Sequence, residues 1–172
     1  FYDVRATYSL LAAHLVPPSG ADTEFTDMRA VWEALPDARK REIEHLKVEH
    51  SYWYSRVLGG GPQPTEEERA TRPPACHPIV HLHAPSNRKA LYLASHAQNI
   101  VGWPENEGRA LIDELIAFAT QERFIYAHKW RLGDILIWDN LATMHRATPF
   151  DDRAFRRDMR RTTCREREII DA

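Results

Sequence analysis

Apolar positions open the chain as a block rather than as an alternation. Tyr8 to Val16 is a nearly continuous hydrophobic run of strand length, which predicts a buried strand. Pro17, Pro18, Ser19 and Gly20 then make a turn. Thr26 and Asp27 form a plausible cap for a helix whose Met28, Val31, Trp32 and Leu35 recur at helical spacing. Pro36 restarts a second, highly charged helix that is expected to run through Lys47. Residues 59–75 are rich in Gly, Pro and charge and carry no apolar period, so they read as a mobile surface loop or as a lid over a site. Short extended stretches follow at 79–83, 90–93, 124–130, 135–138 and 157–165. A single convincing helix interrupts them; it opens at Pro104 and carries Leu111, Ile112, Leu115, Ile116 and Ala119 on one face. Short strands joined by turns, with helices as insertions, predict a mostly β sandwich or barrel in one domain over residues 1–172, not a doubly wound sheet.

Composition narrows the classes. With 43% hydrophobic residues and five Trp, 172 residues can bury a core of their own. The formal net charge of -2 gives no footprint for nucleic acid or an anionic membrane, and no apolar run reaches the ~20 residues of a membrane span. Cys76 and Cys164 stand far apart, with neither a disulfide framework nor paired zinc spacing, so a reducing cytoplasm is the expected compartment. There is no phosphate-binding loop, because Gly59, Gly60 and Gly61 lack the Lys and the helix that should follow. A small-molecule substrate is the expected partner, and a homo-oligomer is left open.

Two groups of residues could carry chemistry. On a terminal strand of period two, Arg157, Met159, Arg161 and Thr163 share one face, which aims two guanidinium groups the same way about 13 Å apart. A guanidinium pointed into a sandwich interior needs an anion, since an unpaired buried charge is costly, and a carboxylate matches its planar fork. That anion is either a ligand or an internal Asp or Glu; the third alternative is a solvated basic edge. Among the histidines, His81 and His83 would share one strand face beside His77, compatible with a metal, although no third ligand accompanies them at convincing spacing. His96 could touch a substrate or simply donate to a carbonyl. His145, following the strand 135–138 and a polar turn, is either a metal ligand or a satisfied core histidine.

Three blocks, PPSGADTEFTDMRAVWEALP, HPIVHLHAPSNRKALYLASHAQNI and WDNLATMHRATPFDDRAFRRDMRRTT, decide more. In that order they resemble the iron(II)/2-oxoglutarate dioxygenases of the taurine dioxygenase and 2,4-dichlorophenoxyacetate dioxygenase superfamily. The wording of TEF-x-D-M-R and LYL-x-S-H-A is nearer to the phenoxyalkanoate branch, and the resemblance spans almost the whole chain.

The resemblance implies a double-stranded β-helix, or jelly-roll, and the cofactors Fe(II), 2-oxoglutarate and O2. His145 matches the distal histidine of the 2-His-1-carboxylate facial triad, which leaves three adjacent iron positions open. Arg157 matches the arginine that clamps the far carboxylate of 2-oxoglutarate, and Thr23 the threonine that hydrogen-bonds the same group. Arg161 matches an arginine that meets the substrate carboxylate. Tyr92 falls at an aromatic pocket position, with His96 beside it. The implied reaction hydroxylates a carboxylate-bearing substrate such as an aryloxyalkanoate and releases succinate and CO2. A taurine- or alkylsulfate-type dioxygenase on the same fold is the alternative; a non-catalytic β-sandwich binding module is a further one. One departure stands out: the family's His-x-Asp motif should lie just before residue 1, and Asp3 has no His two residues ahead of it. The chain is therefore expected to be the carboxy-terminal part of a longer oxygenase, with its jelly-roll incomplete.

Overall fold

The computed structural model describes residues 3–166. The long apolar run forms β1 (Ala6–Leu15), the centre of a three-stranded antiparallel sheet between β11 (Asp158–Arg165) and β9 (Ile135–Asp139). Ser9 stands opposite Thr163 and Trp138, and Leu11 opposite Arg161 and Leu136. Because side chains alternate across a sheet, Ser9, Trp138, Arg161 and Thr163 share one face. On the other face Ile135 and Ile137 are 69% and 59% exposed.

A second antiparallel sheet has β2 (Thr23–Asp27) between β10 (Thr143–Ala147) and β8 (Ile125–His128). Phe25 faces His145 and Tyr126 across it, and Thr23 faces Ala147 and His128. The two sheets meet through Trp138, whose ring centroid lies 5.5 Å from that of Phe25 and 4.8 Å from that of His145. The expected mostly β fold with helical insertions is present, and these facing sheets are its jelly-roll portion.

The main hydrophobic core lies to one side, under the helices. α1 (Met28–Ala34) buries Met28, Val31 and Trp32, and α5 (Glu105–Ala119) buries Leu111, Ile112 and Leu115, as their helical spacing requires. Asp27 caps α1 by accepting from the backbone N–H groups of Arg29 and Ala30. Both helices pack on Val48, Leu91 and Ile100, which come from a third sheet and a hairpin. The sheet places β3 (Lys47–His50) between β4 (Ala75–Pro78) and β7 (Ala97–Ile100); the hairpin joins β5 (Val80–His83) to β6 (Arg88–Leu91). Each fully buried aliphatic side chain contributes about 1.5–3 kcal/mol, so this cluster holds the helices to the sheets.

Several expectations need correction. The second helix, α2 (Asp37–Ile43), stops short of Lys47, because Val48 and His50 are buried while Lys47 is exposed, the period of a strand. Residues 59–75 are not without structure. They contain α4 (Glu66–Thr71), started by a capping box in which Thr65 and Glu68 satisfy each other's backbone N–H groups. The Trp53 indole donates to the Glu68 carbonyl and so ties α4 to α3 (Tyr52–Leu58). The last strand begins at Asp158, which leaves Arg157 in the connection just before it.

Candidate active site

β10 carries His145 against an aromatic wall. Its ring stacks on Phe25 at 6.0 Å and tilts against Trp138 at 4.8 Å. Packing among these groups, and then the nearby Arg161 charge, push its pKa down to about 4, although the residue remains exposed where it borders the cavities. The imidazole is therefore neutral at physiological pH, with a lone pair available to a metal.

A cavity of about 450 Å³ opens in front of it, and its lining brings together His145, Arg161, Tyr92 and His96. A second cavity of about 540 Å³ shares Ser95, Met144 and His145 with the first and is walled by Phe25, Leu58, Ile116 and Ile125. The first is basic: Arg5 and Arg165 line it together with Arg161. Arg5 is held by Glu166 at 2.6 Å and lies 5.7 Å from the centre of the Tyr92 ring.

Thr23 and Arg157 do not line that cavity. Thr23 is buried on the same face of the second sheet as His145, diagonally across the strand pair, and its hydroxyl accepts a hydrogen bond from the Trp130 indole at 2.9 Å. Arg157 is half-buried, and its Nε has no partner among the described residues. Burial pushes its pKa down, as expected for a cation still lacking its anion.

The histidines of β5 have a different task from the metal binding considered for them. His81 Nε2 lies 2.7 Å from the Leu141 carbonyl; His83 Nε2 lies 2.8 Å from Asp139 Oδ2, and its Nδ1 lies 2.7 Å from Ser86 Oγ. They fasten the turn that leads from β9 into β10. Among the described residues no group of three or more His, Cys, Asp or Glu is placed to hold a metal, so His145 is a single metal-ligand candidate.

Three residues at the site escaped the sequence reading. Buried His50 contacts His96, and Ser9 and Asn140 contact Arg161 directly or through one another. For Ser9 the signal available was a polar residue inside the apolar run from Tyr8; His50, in the mostly polar Lys47–His50, and Asn140, in a polar turn, carried no such signal.

The family model described as taurine catabolism dioxygenase TauD, TfdA family matches residues 1–163. The chain belongs to this family. It is 44% identical over 163 residues to the alpha-ketoglutarate-dependent 2,4-dichlorophenoxyacetate dioxygenase of Burkholderia sp. (strain RASC), an alignment covering 95% of this chain and 54% of that protein. It is 36% identical to the (S)-phenoxypropionate/alpha-ketoglutarate-dioxygenase of Sphingobium herbicidovorans, over 88% of this chain and 55% of that relative. The chain thus spans little more than half the length of these TauD/TfdA relatives. A crystal structure of AAD-2 in complex with Mn(II) and N-oxalylglycine superposes with a TM-score of 0.90 at 45% identity, covering 95% of this chain and 64% of that one.

Proposed function

We propose that this chain is the carboxy-terminal part of an Fe(II)/2-oxoglutarate-dependent dioxygenase that hydroxylates an aryloxyalkanoate or a related carboxylate. One observation carries the reading: His145 and Arg161 line one basic cavity, while the buried Nε of Arg157, outside that lining, has no partner among the described residues. A carboxylate is the ligand that such a guanidinium lacks. The names of the TauD/TfdA relatives and the N-oxalylglycine bound to AAD-2, an analogue of 2-oxoglutarate, support the same chemistry.

The residues fit the cofactors as far as they go. His145, neutral and open to the cavity, would be one iron ligand, and the His-x-Asp pair would come from outside these 172 residues. Bound iron with 2-oxoglutarate and O2 supplies the oxidising power, and the products are succinate, CO2 and the hydroxylated substrate. Arg157 and the Thr23 hydroxyl would hold the far carboxylate of 2-oxoglutarate. Arg161 would take the carboxylate of the prime substrate, while Tyr92 and His96 border the space beside it. A fixed carboxylate sets which carbon faces the metal, and that positioning is the chain's main contribution to rate. The aromatic wall of Phe25 and Trp138 excludes water on one side of His145. The two free cysteines suit a reducing cytoplasm.

The test is product analysis with the intact enzyme, Fe(II) and 2-oxoglutarate. Aryloxyacetates should give one phenol, one glyoxylate, one succinate and one CO2 per turnover, since a hydroxyl placed beside the ether oxygen makes a hemiacetal that breaks the bond between its hydroxylated carbon and the aryloxy oxygen, releasing the phenol and leaving the aldehyde of glyoxylate. Turnover of sulfonates or sulfate esters with aryloxyacetates inert would reassign the substrate; no succinate with any substrate would refute the reaction.

A further inference from the structure

No carboxylate among residues 3–166 holds Arg161. Among the described residues its contacts are a hydroxyl and an aromatic face: Nη2 donates to Ser9 Oγ at 3.2 Å, and its Cζ lies 5.8 Å from the centre of the Trp138 ring. We propose that Ser9 and Asn140 form an uncharged scaffold that orients the Arg161 guanidinium without neutralising it, and so act as positioning residues for the anionic substrate. This rests on the reading of Arg161 given above.

The hydrogen-bond inventory leaves the scaffold little freedom. An indole N–H can only donate, and that of Trp138 gives its hydrogen to Asn140 Oδ1 at 2.9 Å. The Asn140 amide is thereby fixed with Nδ2 toward Ser9, where it donates to Oγ at 3.0 Å. Arg161 donates to the same oxygen, so both lone pairs of Ser9 are occupied. Its single hydrogen is left for Thr163 Oγ1 or Asn140 Oδ1, each at 3.3 Å. Ser9 is fully buried at the centre of β1, where a hydroxyl with every valence used has no alternative rotamer of similar energy.

Neutrality is the functional point. An Asp or Glu in place of this pair would orient the guanidinium equally well, but it would satisfy its charge and compete with an incoming carboxylate. Ser9, Asn140 and Trp138 supply direction and leave the charge available. Trp138 also packs on His145, so one aromatic ring sets the spacing between the cation and the proposed metal ligand.

The test uses the intact enzyme with 2,4-dichlorophenoxyacetate as probe and two readouts: the KM values for probe and for 2-oxoglutarate, and the NMR rotation rate of the Arg161 guanidinium. Ser9→Ala should raise the probe KM about tenfold, the scale of one hydrogen bond to a charged group, and leave the 2-oxoglutarate KM within about twofold. Rotation of the guanidinium should speed up. Asn140→Asp, close to isosteric and usable should Ser9→Ala fail to fold, should raise the probe KM at least as much, because it supplies a competing charge. Unchanged guanidinium rotation in the variants overturns the proposal, as does a parallel rise in both KM values, which would mean general loosening. Faster rotation and a higher probe KM, with Arg161→Ala also raising the probe KM, supports it. Should Arg161→Ala leave the probe KM unchanged while rotation still responds to Ser9→Ala, the scaffold stands and the substrate role of Arg161 fails.

Discussion

Nδ1 of His50 lies 2.8 Å from Nδ1 of His96, so one of these nitrogens carries a hydrogen and the other accepts it. The two rings cannot both be cations in this arrangement. His50 is fully buried, and burial pushes its pKa down to about 2 and that of His96 to about 3. Both values lie below the ordinary histidine value near 6.5, so the unfolded chain binds more protons than the folded one between those limits. Stability is therefore complete above about pH 6.5 and falls as the pH drops below it, by up to about 1.4 kcal/mol per pH unit for each ring. Urea midpoints measured from pH 7 to pH 4.5 should decline, and His50→Gln should flatten that decline. The carboxylates titrate mainly below this window, which keeps the two effects apart.

Arg157 and Arg161 should separate kinetically. Arg157→Ala removes the cation whose buried Nε has no partner among the described residues, and it is expected to raise the 2-oxoglutarate KM about a hundredfold with a small effect on the prime substrate. Arg161→Ala should do the reverse, because Arg161 lines the cavity in which Arg157 has no part. Steady-state kinetics with each cosubstrate varied in turn checks both. Two variants that changed only the 2-oxoglutarate KM would refute the division of roles.

The sequence was most legible where one physical signal dominated. The run from Tyr8, the Asp27 cap and the face of Leu111, Ile112 and Leu115 led to β1, α1 and α5, because each buries a single continuous apolar surface. The strands β2, β3, β4, β7 and β10 are four or five residues long and carry Thr, Glu, His and Asn, so no local period distinguishes them from loops; long-range pairing forms them. The site divides in the same way. His145, Arg161, Tyr92 and His96 were found through their motifs and do share a cavity. Ser9, Asn140 and His50 were missed, because their importance lies in partners 46 to 152 positions away.

Gly108 should resist the substitution that usually strengthens a helix. In an exposed helix interior Gly→Ala gains about 1 kcal/mol. Here a Cβ would collide with the Asn99 side-chain oxygen and lie 2.8 Å from the backbone nitrogen of Ile100, so α5 and β7 could not keep their present approach. Backbone cannot yield as a flexible side chain does. Gly108→Ala is expected to lower stability by about 1–3 kcal/mol, the range for overpacking, and denaturant unfolding reads it directly. A gain in stability would show that α5 shifts freely on β7.

His83 carries the last prediction. Its two ring nitrogens contact Asp139 Oδ2 and Ser86 Oγ, and Asp139 Oδ1 accepts the backbone N–H of Leu141 at 2.8 Å within the turn that leads to His145. His83 is buried, so His83→Ala would leave a cavity and a half-buried carboxylate without its ring partner. The expected loss is about 2–4 kcal/mol, combining the missing volume with the unsatisfied group. His83→Gln keeps one polar contact and should recover part of that loss. Because β10 hangs on this turn, hydrogen exchange of the Leu141 and Thr143 amides should accelerate in His83→Ala more than exchange in the distant core around Ile112. Uniform acceleration would mean that His83 supports the fold as a whole, whereas a local increase would identify it as the fastening of the strand that carries His145.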